Sequence, residues 1–187
     1  QSSQESKALR PRRLLDEVRS GHWARSIDTV SMKDLVRVEP VALLPTQAGC
    51  AVFLGDGKKI IVFYIDPSIG ASINAVLAKA KPPRPLTHDL FSDVLTAFGA
   101  EVLHATIVRQ EGEVFYSRLF LKAENELMER KIVELDARPS DCIALAVRHE
   151  APLFVVKSLW EELEDMTNVL EDLREQESPL GGFGVDD

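Results

Sequence analysis

Apolar residues along this chain follow two spacings, one typical of strands and one typical of helices. Alternating or continuous apolar runs predict seven strands, at residues 35–44, 51–54, 59–65, 101–109, 113–122, 131–136 and 153–156. Turn chemistry joins two pairs of them into hairpins, at Gly55-Asp56-Gly57 and at Gln110-Glu111-Gly112. Because the strands arrive in hairpins and runs, with helices at few points between them, the pattern favours an α+β fold over alternating β–α–β units.

Apolar residues three and four positions apart predict helices between the strands. An N-cap aspartate followed by proline, Asp66-Pro67, starts a helix that runs to about Ala80. Thr87 is predicted to cap a second helix. The buried face of that helix is predicted to consist of Leu90, Phe91, Val94, Leu95 and Phe98. A third helix is predicted from Pro139 to His149, and a last one begins near Ser158.

The composition fits one main domain with short appendages, since 187 residues with 45% hydrophobic content can build a sizeable core. The longest apolar run, Ile60–Ile65, is far too short to cross a bilayer, and no secretory signal is recognised at the start. The two cysteines, Cys50 and Cys142, lie far apart and have no disulfide or zinc-ligand spacing. These features predict a reducing, cytoplasmic setting and no membrane partner.

The net charge of −8 is concentrated in one segment. Residues 158–187 contain ten acidic residues and one basic residue, so residues 1–157 are nearly neutral. The chain is predicted to consist of a basic N-terminal extension with a short helix at 1–30, a main domain at 31–160, and an acidic C-terminal helix with a flexible tail at 161–187. An acidic tail of this kind could compete with nucleic acid for a basic surface, most strongly at low salt.

Two proline-containing segments carry the candidate chemistry. In Lys81–Leu90 the prolines at 82, 83 and 85 form a stiff approach to a helix start, so that Arg84, His88 and Asp89 are held rigidly. The second segment, Asp136–Asp141, again places a polar cluster and a proline at the start of a helix. A cation, an imidazole and carboxylates held in this way suit the binding of a phosphate group.

The sequence KPPRPLTHDL (81–90) and the sequence ELDARPSDCIALAVRHEAPLFV (134–155) resemble the bifunctional nuclease domain family, which is named for members that degrade both DNA and RNA. The resemblance extends over roughly residues 35–159. It implies a largely antiparallel, barrel-like sheet flanked by helices, assembled as a homodimer or a higher homo-oligomer. It also implies a nuclease of low sequence specificity whose partners are DNA and RNA.

A nuclease that acts on DNA cannot use the 2′-hydroxyl as its nucleophile, so water must attack the phosphorus. Water needs a metal ion or a general base for this step, and arginine stabilises the charge that develops on the phosphoryl oxygens. By chemistry and by the resemblance, the predicted catalytic residues are Arg84, His88, Asp89, Arg138 and Asp141. The predicted ligands of a divalent metal ion, Mg²⁺ or Mn²⁺, are Asp89, Asp136 and Asp141. The predicted phosphate contacts are Arg84, Thr87, Arg138 and Ser140.

The same residues also have a purely structural interpretation. Thr87 and Asp89 are favourable in a first helical turn, and the charged residues of 136–141 could form a salt-bridge network at a strand–helix joint. After the strand at 59–65 the family pattern has Ile-Gly-Pro followed by a glutamate, whereas this sequence has Ile65-Asp66-Pro67 with Ile69 aligned to that glutamate. The alternative hypothesis is therefore a non-catalytic, oligomeric binding or regulatory protein with the same fold. No stretch combines aromatic and basic residues in the manner of single-strand binding proteins.

Overall fold

The computed structural model describes residues 31–47, 49–124 and 130–177, so the extension predicted at 1–30 and the tail beyond residue 177 lie outside the described residues. Seven strands are present, and each end lies within two residues of its predicted position: β1 Leu35–Thr46, β2 Gly49–Gly55, β3 Ile60–Ile65, β4 Ala100–Glu111, β5 Val114–Glu124, β6 Arg130–Ala137 and β7 Leu153–Val156. The helices in these ranges are α1 Pro67–Leu77, α2 Thr87–Ala97, α3 Pro139–Arg148, α4 Lys157–Glu162 and α5 Thr167–Glu177. No helix in these ranges is long and apolar enough to span a membrane.

The seven strands form one sheet in the order β3-β2-β1-β7-β4-β5-β6. Strands β4 and β7 run parallel, and the five other neighbouring pairs are antiparallel. The mixed class of helices and a largely antiparallel sheet is therefore confirmed. Strands β3 and β6 lie at opposite edges, and within the described strands they do not pair with each other. The sheet is open, so the barrel-like closure implied by the resemblance is not confirmed.

Helices α1 and α3 lie on one face of the sheet and enclose the main hydrophobic core. In α3 the five consecutive residues 142–146 are all buried. Helix α1 approaches β2 so closely that a Cβ on Gly70 would lie 2.7 Å from the Cβ of Cys50. Glycine is required at this position because any side chain would push the helix away from the strand. This close packing sets the position of the N-terminal end of α1, which lines the site described below.

Helix α2 differs from the prediction. Its position in the sequence is as predicted, but only Leu95 is buried. The other apolar residues predicted to face inward stay exposed, from 37% at Phe91 to 79% at Phe98. The helical spacing identified an apolar stripe correctly, but spacing alone does not show which neighbour covers the stripe. Among the described residues, most of this stripe has no partner to pack against.

Helix α5 packs on the opposite face of the sheet and forms a second, smaller core. Its residue Leu170 is fully buried among Ala51 and Phe53 of β2. Just before the helix, the Met166 backbone N–H donates to the Ile60 carbonyl oxygen at 2.7 Å. The acidic segment is therefore anchored as far as residue 177 by its own apolar residues. A test of competition between the acidic tail and nucleic acid must leave α5 in place.

Candidate functional site

The N-terminal ends of α1, α2 and α3 line one cleft of about 420 Å³. The lining residues are Asp66, Ser68, Ile69 and Ser72 from the α1 region, Leu86, Thr87 and His88 from the α2 region, and Arg138 and Asp141 from the α3 region. The first N–H groups of a helix have no partner within the helix, and the helix dipole adds partial positive charge at the same end. Three such ends at one cleft favour the binding of an anion.

Helices α1 and α3 begin as the sequence predicted. Asp66 is the N-cap of α1 and accepts a hydrogen bond from the Ser68 backbone N–H at 2.8 Å, with Pro67 at the first helical position. Helix α3 likewise starts with a proline, directly after its N-cap Arg138. Proline is favourable at this position because its fixed φ suits a helix and its missing N–H is not needed there. Both starts therefore follow from the local sequence.

The predicted cap of α2 is wrong. The N-cap is Leu86, and Thr87 is the first helical residue. The start of the helix is closed instead by Asp89, whose Oδ2 accepts a hydrogen bond from the Leu86 backbone N–H at 2.7 Å. A carboxylate three residues after the N-cap can bond back to the N-cap N–H, and here this contact has displaced capping by the threonine hydroxyl.

Asp141 is the centre of the polar cluster in the cleft. Its Oδ1 lies 3.1 Å from His88 Nε2, and its Oδ2 accepts a hydrogen bond from Arg138 Nε at 2.8 Å. The two proline-containing segments therefore meet in space through the contact of His88 with Asp141. Burial acts to raise the pKa of Asp141, but the hydrogen bonds from Arg138 and His88 outweigh burial, so the pKa lies below its usual range.

The ionised Asp141 determines which ring nitrogen of His88 carries the proton. A carboxylate can only accept, so the proton of a neutral imidazole resides on Nε2, facing Asp141. The other nitrogen, Nδ1, then has a free lone pair, and no described residue forms a hydrogen bond with it. The His88 side chain is 13% exposed and that of Asp141 is 27% exposed, so solvent reaches the pair without surrounding it. This arrangement suits a histidine that removes a proton from water.

Arg138 is the permanent cation of the cleft. Its Nε and Nη2 donate to Asp141 at 2.8 and 3.2 Å, and its side chain is 70% exposed, so the N–H groups on the other side of the guanidinium can reach a ligand. The hydrogen bond to Asp141 raises the pKa of Arg138, and the charge of Asp66 adds to the effect. The pKa of Asp66 is lowered, first by the hydrogen bonds from Ser68.

Asp89 contacts a residue that the sequence did not identify as its partner. It forms an ion pair with Arg148 at the C-terminal end of α3, and neither side chain of the pair is more than 20% exposed. Arg148 Nη2 also donates to Ser72 Oγ at 3.2 Å, while its buried Nε has no partner among the described residues. Helix α2 is therefore tied to both ends of α3, through His88 and through Asp89. No local pattern signals Arg148, because its partner is 59 positions away in the chain.

Asp136 does not line the cleft. It pairs with Arg118 of β5, which lies directly opposite it in the β5–β6 register. Arg118 Nε also lies 3.1 Å from Glu134 Oε1. Asp136 lines a second cavity, which shares three residues with the cleft. The Arg118 ion pairs are structural contacts between neighbouring strands.

The predicted phosphate contacts divide into two groups. Thr87 and Arg138 line the cleft, and Thr87 also lines the second cavity. Arg84 is exposed in the proline segment, and Ser140 is half-buried in the first turn of α3. Neither Arg84 nor Ser140 is among the residues that line the cleft.

The three carboxylates predicted as metal ligands do not form one group. Each is already paired, Asp141 with His88 and Arg138, Asp89 with Arg148, and Asp136 with Arg118. Within residues 31–47, 49–124 and 130–177 no cluster of three or more His, Cys, Asp or Glu side chains is placed to hold a metal ion. This donor set does not fit the predicted Mg²⁺ or Mn²⁺ centre, because an ion needs several oxygen ligands directed at one point.

Comparison with known proteins identifies the family of this chain. Residues 52–167 match the bifunctional nuclease domain. The chain belongs to the bifunctional nuclease domain family. An uncharacterized protein of Mycobacterium tuberculosis is 33% identical over 104 residues, which cover 56% of this chain and 58% of that protein. Bifunctional nuclease 1 of Arabidopsis thaliana is 28% identical over 120 residues, covering 64% of this chain and 34% of that protein. Bifunctional nuclease 1 of Oryza sativa subsp. indica is 31% identical over 104 residues, covering 54% of this chain and 30% of that protein.

The chain thus spans 58% of the mycobacterial relative and 30–34% of the plant relatives. The range that matches the bifunctional nuclease domain includes all the helix ends that line the cleft. Ile69, which the family pattern aligns with a glutamate, lines the cleft and is only 6% exposed. Asp66 supplies a carboxylate to the same cleft from three positions earlier. An apolar side chain therefore lines the cleft at the position where the resemblance predicted an acid.

Proposed function

We propose that this chain is a nuclease that hydrolyses phosphodiester bonds in DNA and RNA with low sequence specificity. The observation that carries the proposal is the contact of Asp141 with both His88 and Arg138 at a cleft lined by three helix N-termini. Membership of the bifunctional nuclease domain family supports it. Low sequence specificity is expected because contacts to phosphate position a nucleic acid without distinguishing its bases.

In the proposed reaction His88 is the general base. Asp141 holds the ring through Nε2, and Nδ1 removes a proton from the water molecule that attacks the phosphorus. Asp141 then stabilises the imidazolium, while Arg138 and the helix ends neutralise charge on the phosphoryl oxygens. The P–O bond to one sugar oxygen breaks as the water oxygen bonds to phosphorus, the leaving oxygen takes a proton from solvent, and His88 returns its proton to solvent afterwards. Because water is the nucleophile, the reaction does not require a 2′-hydroxyl and applies to DNA and RNA alike.

Several features stay predictions from the sequence. These are divalent-metal assistance, a homo-oligomeric state, a cytoplasmic setting, and direct catalytic roles for Arg84 and Asp89. No step of the proposed reaction passes through a metal ion, because the observed carboxylates do not fit one. A chelator in the assay below tests metal assistance directly.

The test is digestion of supercoiled plasmid and of RNA by the purified chain, with and without chelator. We expect Asp141→Asn to lower both cleavage rates at least tenfold, which corresponds to about 1.4 kcal/mol of activation free energy. The matched control is Asp93→Asn, since Asp93 is exposed on α2 and does not line the cleft. A drop in the melting temperature of Asp141→Asn, with activity following only the folded fraction, would support the structural salt-bridge interpretation instead.

A second function, nucleic-acid binding without turnover, is favoured by Ile69. The buried Ile69 places apolar surface in the cleft where an acid is expected. Binding of an oligonucleotide that is lost in Arg138→Ala, together with no cleavage of plasmid or RNA under any metal condition, would support this function over the nuclease.

A further inference from the structure

The second cavity, of about 290 Å³, lies beside the cleft and differs from it in chemical character. The two cavities share Thr87, His88 and Asp141. The other lining residues of the second cavity are mostly apolar and come from four elements: Phe91 of α2, Leu119 of β5, Leu135, Asp136 and Ala137 of β6, and Leu145 of α3. A charged cleft and an apolar cavity thus meet at the His88–Asp141 pair.

The apolar cavity has a buried base and accessible sides. Leu119 and Leu145 are 2% and 4% exposed, so they belong to the core of the domain. Phe91 and Leu135 each retain 37% exposure, so their side chains present apolar surface to whatever enters. Ligand sites are typically concave and mostly apolar with a few polar groups that set orientation. Here those polar groups are the residues shared with the cleft and the carboxylate of Asp136.

We propose that this cavity binds one nucleobase of the substrate, next to the phosphate that is held in the cleft. The inference rests on the proposed nuclease function and adds a substrate class to it. A nucleotide joins an anionic phosphate to a planar, largely apolar base, and the two adjoining cavities offer a matching surface for each part. Aromatic side chains such as Phe91 stack on unpaired bases of any sequence.

A cavity that binds a base favours single-stranded or locally unpaired nucleic acid as the substrate. A base inside a duplex is stacked and paired, and it must leave the helix before it can enter a cavity. An unpaired base meets no such cost. The residues that line the cavity come from four elements spread over positions 87–145, so no single stretch of the sequence shows the whole surface.

The first experiment compares the binding of adenosine 5′-monophosphate and ribose 5-phosphate to the full chain by calorimetry. Both compounds carry the phosphate, and only the first carries a base. We expect the nucleotide to bind about tenfold more tightly, the range that stacking of one base provides. Phe91→Ala removes this difference, and Phe91→Tyr, which keeps the ring, retains it. The matched control is Val94→Ala, exposed on the same helix and outside the cavity, which leaves the difference unchanged.

The second measurement compares a single-stranded oligonucleotide with a duplex of the same sequence. We expect the wild type to prefer the single strand and Phe91→Ala to lose that preference, with unfolding midpoints measured for every variant. Equal binding of nucleotide and ribose 5-phosphate overturns the base site and leaves the nuclease proposal intact. Binding of neither compound, and of neither oligonucleotide, overturns both. A change of oligomeric state in Phe91→Ala with no change in nucleotide preference shows that a second copy of the chain covers the cavity, and overturns the base site.

Discussion

Helices α2 and α3 both begin at proline-containing segments and both bring polar residues to the cleft, but different forces hold them in place. Five consecutive residues of α3 are buried in the main core, whereas α2 buries only Leu95. The contacts that hold α2 are largely polar: His88 with Asp141, Asp89 with Arg148, and Ser92 Oγ with His149 Nε2 at 2.9 Å. Each of these contacts reaches α3 or the residue directly after it.

The comparison shows that His88, the proposed general base, and Asp141 lie on helices that are held by interactions of unequal strength. Burial of apolar surface is the dominant stabilising term in folding, whereas a single hydrogen bond contributes only about 0.5–1.5 kcal/mol net. Segments with few buried apolar contacts open at lower free energy than the core. We therefore expect α3, with Asp141 and Arg138, to be the rigid part of the site. Helix α2, with His88, is the part that polar contacts must position.

The largest effect expected is on stability, from a pair of matched substitutions. Ile143→Ala in α3 removes a fully buried side chain and is expected to lower the free energy of unfolding by about 2–5 kcal/mol. Leu90→Ala in α2 removes a side chain that is 59% exposed, so a change within about 0.5 kcal/mol is expected. Urea denaturation of both variants measures the difference. Similar losses in the two would show that α2 is packed as firmly as α3.

An intermediate effect is expected at the ion pair that anchors α2. Arg148→Met leaves Asp89 without its partner, and we expect a loss of about 2 kcal/mol, below the roughly 3–5 kcal/mol of a fully buried pair because both side chains keep some exposure. Amide hydrogen exchange should quicken in α2 more than in α3.

The double variant Asp89→Asn with Arg148→Met serves as the control for this pair. It removes the uncompensated charge, so it should be more stable than the sum of the two single losses predicts. Strictly additive losses would mean that the two side chains do not stabilise each other.

The smallest effect is a pH dependence carried by His149, the histidine that contacts α2. Burial, and then the charge of Arg148, lowers the pKa of His149 below its usual value of 6.5. A histidine with a lowered pKa in the folded state stabilises the fold in its neutral form. That contribution is fully present above the unfolded pKa and declines as the pH falls through the folded pKa. The free energy of unfolding should therefore be lower at pH 5 than at pH 7.5.

His149→Gln is expected to remove part of this decline but not all of it. Burial also lowers the pKa of His104 in β4, so His104 contributes a decline of the same sign. Asp141, whose pKa is lowered, adds a further loss only below about pH 4, the usual pKa of an aspartate. Stability that rises on acidification from pH 7.5 to pH 5 would contradict the assignment of neutral, half-buried histidines.

Local patterns predicted most of the elements because the features that produce them lie within a few residues of each other. Asp66 with Pro67 marks the start of α1, and the hairpin turn at Gly57 has the positive φ of 88° that a glycine permits. The predicted N-cap was wrong where two neighbouring residues could each close the same helix start. Thr87 and Asp89 both suit a helix start, and in the fold Asp89 closes it from Leu86.

Local spacing located the strands, the first four helices and the two segments that carry the candidate chemistry, but it predicted one last helix where the structure has two, α4 and α5. Spacings of two and of three to four residues act along the chain, so they are visible without the fold. Which of these residues meet depends on the packing of the elements. His88 contacts Asp141 from 53 positions away. Asp89 forms its ion pair with Arg148, and Asp136 forms its ion pair with Arg118. Such pairs depend on how α3 packs between the sheet and α2, and no local spacing encodes that packing.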